Sequence, residues 1–148
     1  MEHVQQQILD AAKAALVAAG TDAGVRVYLD HADPLEVADL PAIELAEAPQ
    51  GEDVDAKTVS GAESRVYSVL VSCVVAGGAD YARRARELGR QVEVALTARA
   101  APLPRPGRAQ LAAARMTLEG DGESLLAKRE QLWRFTYTTR RGAPDIAL

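Results

Sequence analysis

A single cysteine, Cys73, and two histidines, His3 and His31, are all the strong thiol and imidazole chemistry in the sequence. An internal disulfide is excluded, and nothing in the chain calls for an oxidising compartment. Aromatic residues make up only 4% of the chain, so its core must be built mainly from Val, Leu, Ile and Ala. Long apolar runs are also missing. The longest, 69–76, is interrupted by Ser72 and falls far short of the roughly 20 residues a bilayer-spanning helix needs. No membrane partner is expected. Residues 1–10 lack the basic flank of a signal peptide, so a cytoplasmic site of synthesis is expected. A basic surplus is absent too. The net charge of −4 argues against a dedicated nucleic-acid binder.

What is present fits one domain spanning residues 1–148, with 48% hydrophobic and 26% charged residues. Val4, Ile8, Ala11, Ala12, Ala15, Leu16 and Ala19 recur at helical spacing, which predicts an amphipathic helix ending at Gly20. Residues 25–29 read as a short strand. Asp33-Pro34 with Glu36 has the chemistry of a helix start, for one or two turns before Pro41. Residues 41–47 read as a second strand. Residues 48–62, with Pro49, Gly51, Gly61 and several acids, read as a mobile acidic loop. Residues 64–75 are the strongest strand signal and are apolar on both faces, as a central strand requires.

Gly77-Gly78 ends that strand. Asp80 is placed to cap a helix running to about Arg99, whose buried stripe is Tyr81, Ala85, Leu88, Val92, Ala95 and Leu96. Pro102, Pro104 and Pro106 form a stiff connector. A strand is expected within 109–119, a turn at 120–122, a strand over 131–140 and a loose tail over 142–148. The fold class expected is α+β: a mostly antiparallel sheet of about five strands with two main helices packed on one face. The other sheet face must then be polar or meet a partner.

Catalytic and ligand-binding patterns are lacking. His31 lies beside Asp30 and Asp33, but three potential ligands in one acidic turn read better as a solvated turn than as a metal site. Cys73 sits in an apolar strand and reads as a structural thiol. Gly77-Gly78 lacks the further glycine and the Lys-Ser/Thr of a phosphate loop. Glu52, Asp53 and Asp55 do not follow a calcium-loop series. The serines have no Gly-x-Ser-x-Gly setting. The opening order α-β-β-β-α mimics a double-stranded RNA-binding domain, but the loop that would meet phosphate is acidic. No enzyme activity, cofactor or metal is expected.

Charge is unevenly placed. Residues 1–63 hold 13 acidic and 3 basic residues; residues 64–148 hold 8 acidic and 14 basic. One half folding back on the other would give such a split. An interface between subunits would use it, with Glu47, Glu52, Asp53 and Asp55 on one copy facing Arg83, Arg84, Arg86 and Arg90 on the next.

Several features together resemble the tail terminator, or tail completion, proteins of long-tailed bacteriophages. They are the N-terminal amphipathic helix, Leu40-Pro41-Ala42-Ile43-Glu44-Leu45, the strand from Arg65 to Val75, the helix over 79–99, the Pro-rich break, and Leu132-Trp133-Arg134-Phe135-Thr136-Tyr137. The resemblance covers nearly the whole chain and is one of pattern, not of a signature motif. It implies a hexameric ring that caps the tail tube, ends its polymerisation and offers a surface to a head-completion protein. Its partners would be further copies of itself, the tube protein and the head-completion protein, with genomic DNA passing through the lumen. It would be found in the host cytoplasm during assembly and later in the virion tail. A head-tail connector or tube subunit of the same particle, and a bacterial α+β RNA-binding module, stay open beside it.

Overall fold

In the computed structural model, residues 2–56, 61–98 and 108–148 are described. The fold is α+β, a two-layer arrangement of a mostly antiparallel sheet and two helices. The elements are α1 (Val4–Ala18), β1 (Val27–Leu29), β2 (Ala42–Asp55), β3 (Ala62–Ala76), α2 (Tyr81–Thr97), β4 (Arg108–Glu119), β5 (Leu126–Arg140) and β6 (Ala143–Ala147). The strand order is β1-β2-β3-β5-β4, and β6 pairs with the far end of β5 on the same side as β4. Among the described strands only β1 with β2 is parallel. As its two apolar faces require, β3 is central, hydrogen-bonded to β2 on one side and β5 on the other.

The core lies between the sheet and both helices. Val4, Ile8, Leu9, Ala12 and Leu16 of α1 and Ala85, Leu88, Val92 and Leu96 of α2 pack onto Tyr67, Val69, Val71, Cys73 and Val75 of β3 and onto Trp133, Phe135 and Tyr137 of β5. The alternation of 133, 135 and 137 thus delivers half of the chain's six aromatics to one face. Trp133 is fully buried, and its indole N–H donates to Gln131 Oε1 at 2.9 Å. The Gln131 amide in turn donates to the Gly89 carbonyl of α2 at 3.0 Å. A Cβ at Gly89 would stand 3.0 Å from that amide nitrogen, so the glycine lets helix and sheet approach closely. Helix and sheet are therefore joined by a buried polar link as well as by apolar contact.

Several expectations are corrected. Residues 48–55 are not loop: β2 continues to Asp55 through an irregularity between Glu47 and Glu52, and β3 begins at Ala62, so the two form a long hairpin. A bulge accommodates Pro49 and Gly51, residues that otherwise signal a break. Residues 143–147 of the expected tail are a strand, because the end of β5 past β4 has unpaired backbone for it to join. Asp33-Pro34 starts no α-helix. Only a 3₁₀ turn forms, at Val37–Asp39, capped by Glu36 and Asp39. A segment that short, followed by Pro41, cannot repay helix nucleation. Asp80 precedes α2 with a left-handed φ of 62° and makes no cap hydrogen bond with its side chain. His3 caps α1: its Nδ1 accepts the Gln5 N–H at 3.0 Å. α2 ends at Thr97, short of the expected Arg99, with Ala98 already extended. The expected proline connector lies outside the described residues, as does part of the 48–62 segment.

Candidate assembly surfaces

The hairpin end of the sheet carries a partly buried polar network. Register sets Arg65 of β3 opposite Tyr137 of β5 and Val54 of β2, and Glu52 opposite Tyr67. Arg65 Nη1 donates to Glu52 Oε1 at 2.8 Å, Nη2 to Glu63 Oε2 at 2.8 Å, and Nε to Thr139 Oγ1 at 3.1 Å. The Tyr137 hydroxyl donates to the other Glu52 oxygen. The Arg65, Glu52 and Glu63 side chains are only 13%, 7% and 12% exposed. Burial works against the Arg65 charge, but its hydrogen bonds to Glu52 and Glu63 outweigh it, and the guanidinium pKa lies above its ordinary value.

Tyr67 and Tyr137 both have raised pKa values. Burial is the main cause, followed by Glu47 at Tyr67 and Glu52 at Tyr137. These phenols stay neutral in the native state while unfolded tyrosine ionises near pH 10.0. Their share of stability is complete below that pH and falls as pH rises through and above it. Thermal midpoints are therefore expected to fall beyond about pH 10, with phenolate absorbance of these two rings appearing only as the fold opens. Ionisation of every tyrosine near pH 10 with the fold intact would contradict this.

The residues expected at an interface fall into three groups. Glu52 is consumed by Arg65 and Tyr137 within the chain. Arg90 is bound to Glu87 one turn away, at 2.6 and 2.9 Å, and Arg84 donates to the Ala76 and Ala79 carbonyls. Asp53, Asp55, Arg83 and Arg86 are exposed, and so is Glu47, which is hydrogen-bonded to Tyr67. Arg83 and Arg86 have no hydrogen-bond or ion-pair partner among the described residues. Sequence reasoning missed Arg65, Glu63, Tyr137 and Gln131. Only the hairpin register could have shown that Arg65 lies between two glutamates.

The two charged regions lie at opposite ends of the sheet. Asp53 is paired with Val66, and Arg84 reaches Ala76, ten residues further along β3. At strand rise that is roughly 33 Å. Folding does neutralise part of the sequence's charge split, through Arg65–Glu52, Arg141–Glu63 and Lys128–Glu44. It does not bring the α2 arginines to the acidic hairpin.

The sheet face away from the helices is mixed, with Val66, Leu70 and Val74 of β3 alternating with Ser68 and Ser72. Ser68 and Ser72 lie along its middle, flanked by Lys128 between Glu44 and Glu119 and by Arg115 paired with Glu130. A shallow groove of about 240 Å³ crosses it at Pro49, Leu70, Ala113 and Leu132. Among the described residues no group of three or more His, Cys, Asp or Glu could hold a metal ion. His31 stacks near Tyr28, its ring centroid 4.8 Å away, and lies 4.0 Å from Glu44. Cys73 is buried, and desolvation pushes its thiol pKa up to about 12, so it is no nucleophile in the folded state. No helix is long and apolar enough to cross a membrane among the described residues.

No family model matches the chain, and no curated protein matches it. Among solved structures it is similar to a chain of the virion of a native gene transfer agent particle, at 24% identity and a TM-score of 0.49, over 93% of this chain and 92% of that one.

Proposed function

We propose that the chain is a non-enzymatic structural subunit that assembles head to tail into a closed ring, in the manner of the phage tail terminators its sequence pattern resembles. The ring would cap a tail tube, end its growth and present a surface for head joining. The observation that carries this reading is the separation of charge: exposed acids at the hairpin end, and exposed arginines at the start of α2, too far apart to meet within one subunit. A head-to-tail contact joins two different surfaces of the same chain and closes a ring if the rotation permits.

The placement of Arg83 supports an external partner. It lies in the first turn of α2, which holds no acidic residue, so its charge faces the positive end of the helix dipole. That arrangement weakens the isolated helix and becomes favourable against an anionic surface. Reversing Arg83 and Arg86 to glutamate is therefore expected to leave the fold intact, to raise the melting temperature slightly and to weaken assembly. Molar salt, which screens charge beyond about 3 Å, should weaken the wild type in the same direction. Circular dichroism and light scattering check both effects. A folded double variant that assembles like wild type at low salt would contradict the role of these charges.

A further inference from the structure

The sheet has two open edges. On β4, one side pairs with β5 and the other meets no strand among the described residues. On β2, β1 covers only Ile43–Leu45, and past Leu45 no described strand pairs with that side. An unpaired strand edge is a template for another strand, and proteins that do not use one block it with lysine, proline or a cover. Positions 109–115 of β4 contain no lysine or proline, and 110–115 are exposed.

From these edges we infer that the subunit contact is a continued sheet, with the β4 edge of one copy pairing antiparallel with the hairpin half of β2 in the next. The occupant of each edge is a second copy of this chain, and the inference rests on the closed head-to-tail ring proposed above but not on contact between Arg83 or Arg86 and the hairpin acids, since in this register those arginines stay at the far end of the sheet and face outward from the joined edges. Three observations carry it. The first is direction. β2 is antiparallel to β3, β3 to β5 and β5 to β4, so β4 runs opposite to β2. Copies related by rotation would therefore meet antiparallel, with all helices on one side of a continuous sheet.

The second is register. Arg108 lies opposite Thr136, Thr136 opposite Val66, and Val66 opposite Asp53. These four positions form one row. Repeated by rotation without a shift along the strands, the row continues from Arg108 of one copy to Asp53 of the next. The third is charge. Residues 46–55 carry the exposed acids Glu47, Asp53 and Asp55 and no basic residue, Glu52 being neutralised by Arg65, whereas β4 contains Arg108 and Arg115, the latter paired with Glu130, against Glu119, paired with Lys128. Opposite signs on the two edges favour pairing unlike edges over like ones.

Directly opposed residues of antiparallel strands have Cα atoms about 4.5–5.5 Å apart, within disulfide range. The test is mild oxidation of Arg108→Cys/Asp53→Cys in the otherwise wild-type full chain, where Cys73 is buried. Light scattering before oxidation establishes whether assemblies exist. The expected result is a ladder of covalent multimers from the double variant, covalent dimers and nothing larger from a mixture of the two single variants, and no dimer from either single variant alone. Assemblies that scatter normally yet give no ladder would overturn the edge pairing while leaving the ring standing. Dimers from Arg108→Cys alone would mean that like edges meet, and would also overturn it. A chain that stays monomeric at every concentration would overturn the ring and this contact together.

Discussion

Replacing Trp133 with alanine is expected to lower the melting temperature by roughly 6–20 °C, taking about 3–5 kcal/mol for a buried aromatic truncation and 2–4 °C per kcal/mol in a domain of this size. Trp133 is among the largest fully buried side chains, and it sits where the helix layer meets the middle of β5. Two effects combine. The cavity would be lined by residues fixed in a sheet that pairs on both sides, so it cannot easily collapse. In addition, Gln131 would lose the indole N–H it accepts while still reaching for the Gly89 carbonyl. Trp133→Phe separates the two, since it keeps most of the volume and removes only the hydrogen bond. It should cost about 1–3 kcal/mol, the range for one unsatisfied buried polar group. Thermal or denaturant unfolding monitored by circular dichroism gives both values. Equal losses for the two variants would mean that the hydrogen bond, not the volume, dominates.

Replacing Arg65 with methionine is expected to cost about 3–5 kcal/mol, because it leaves Glu52 and Glu63 largely buried without their shared cation. The informative comparison is the double variant Arg65→Met/Glu52→Gln. Its amide can still accept from Tyr137 and carries no charge, so much of the loss should be recovered. Recovery would show that the cost belongs to stranded carboxylates. A double variant as unstable as the single one would assign it instead to the lost Thr139 contact and packing. Since Arg65 lies at the hairpin that the proposed contact uses, its loss should weaken assembly as well as folding.

Periodicity and turn chemistry in the sequence were enough to read the layer architecture, both helices and the central strand. Val4, Ile8 and Leu16 lie in the core as their spacing requires, as do Leu88 and Val92, and the alternation through Trp133, Phe135 and Tyr137 marks the inward face. Local signals failed where tertiary pairing overrides them. Pro49 and Gly51 signal a loop, yet a bulge lets β2 run on beside β3. Ala143–Ala147 has little strand propensity and becomes a strand because β5 leaves backbone unpaired there. Candidate interface charges were legible as composition but not as geometry. Glu52 and Asp53 are adjacent acids in the sequence, and only the pleat sends one into the Arg65 network and the other to solvent.

Head-to-tail assembly of this chain into a closed ring is checked by imaging and weighing the purified protein at increasing concentration and low salt, using negative-stain class averages with mass photometry. The expected result is a single ring species of fixed subunit number, whose formation shifts to higher protein concentration as salt is raised. Two-fold dimers, filaments of unlimited length, or a monomer at every concentration would contradict it.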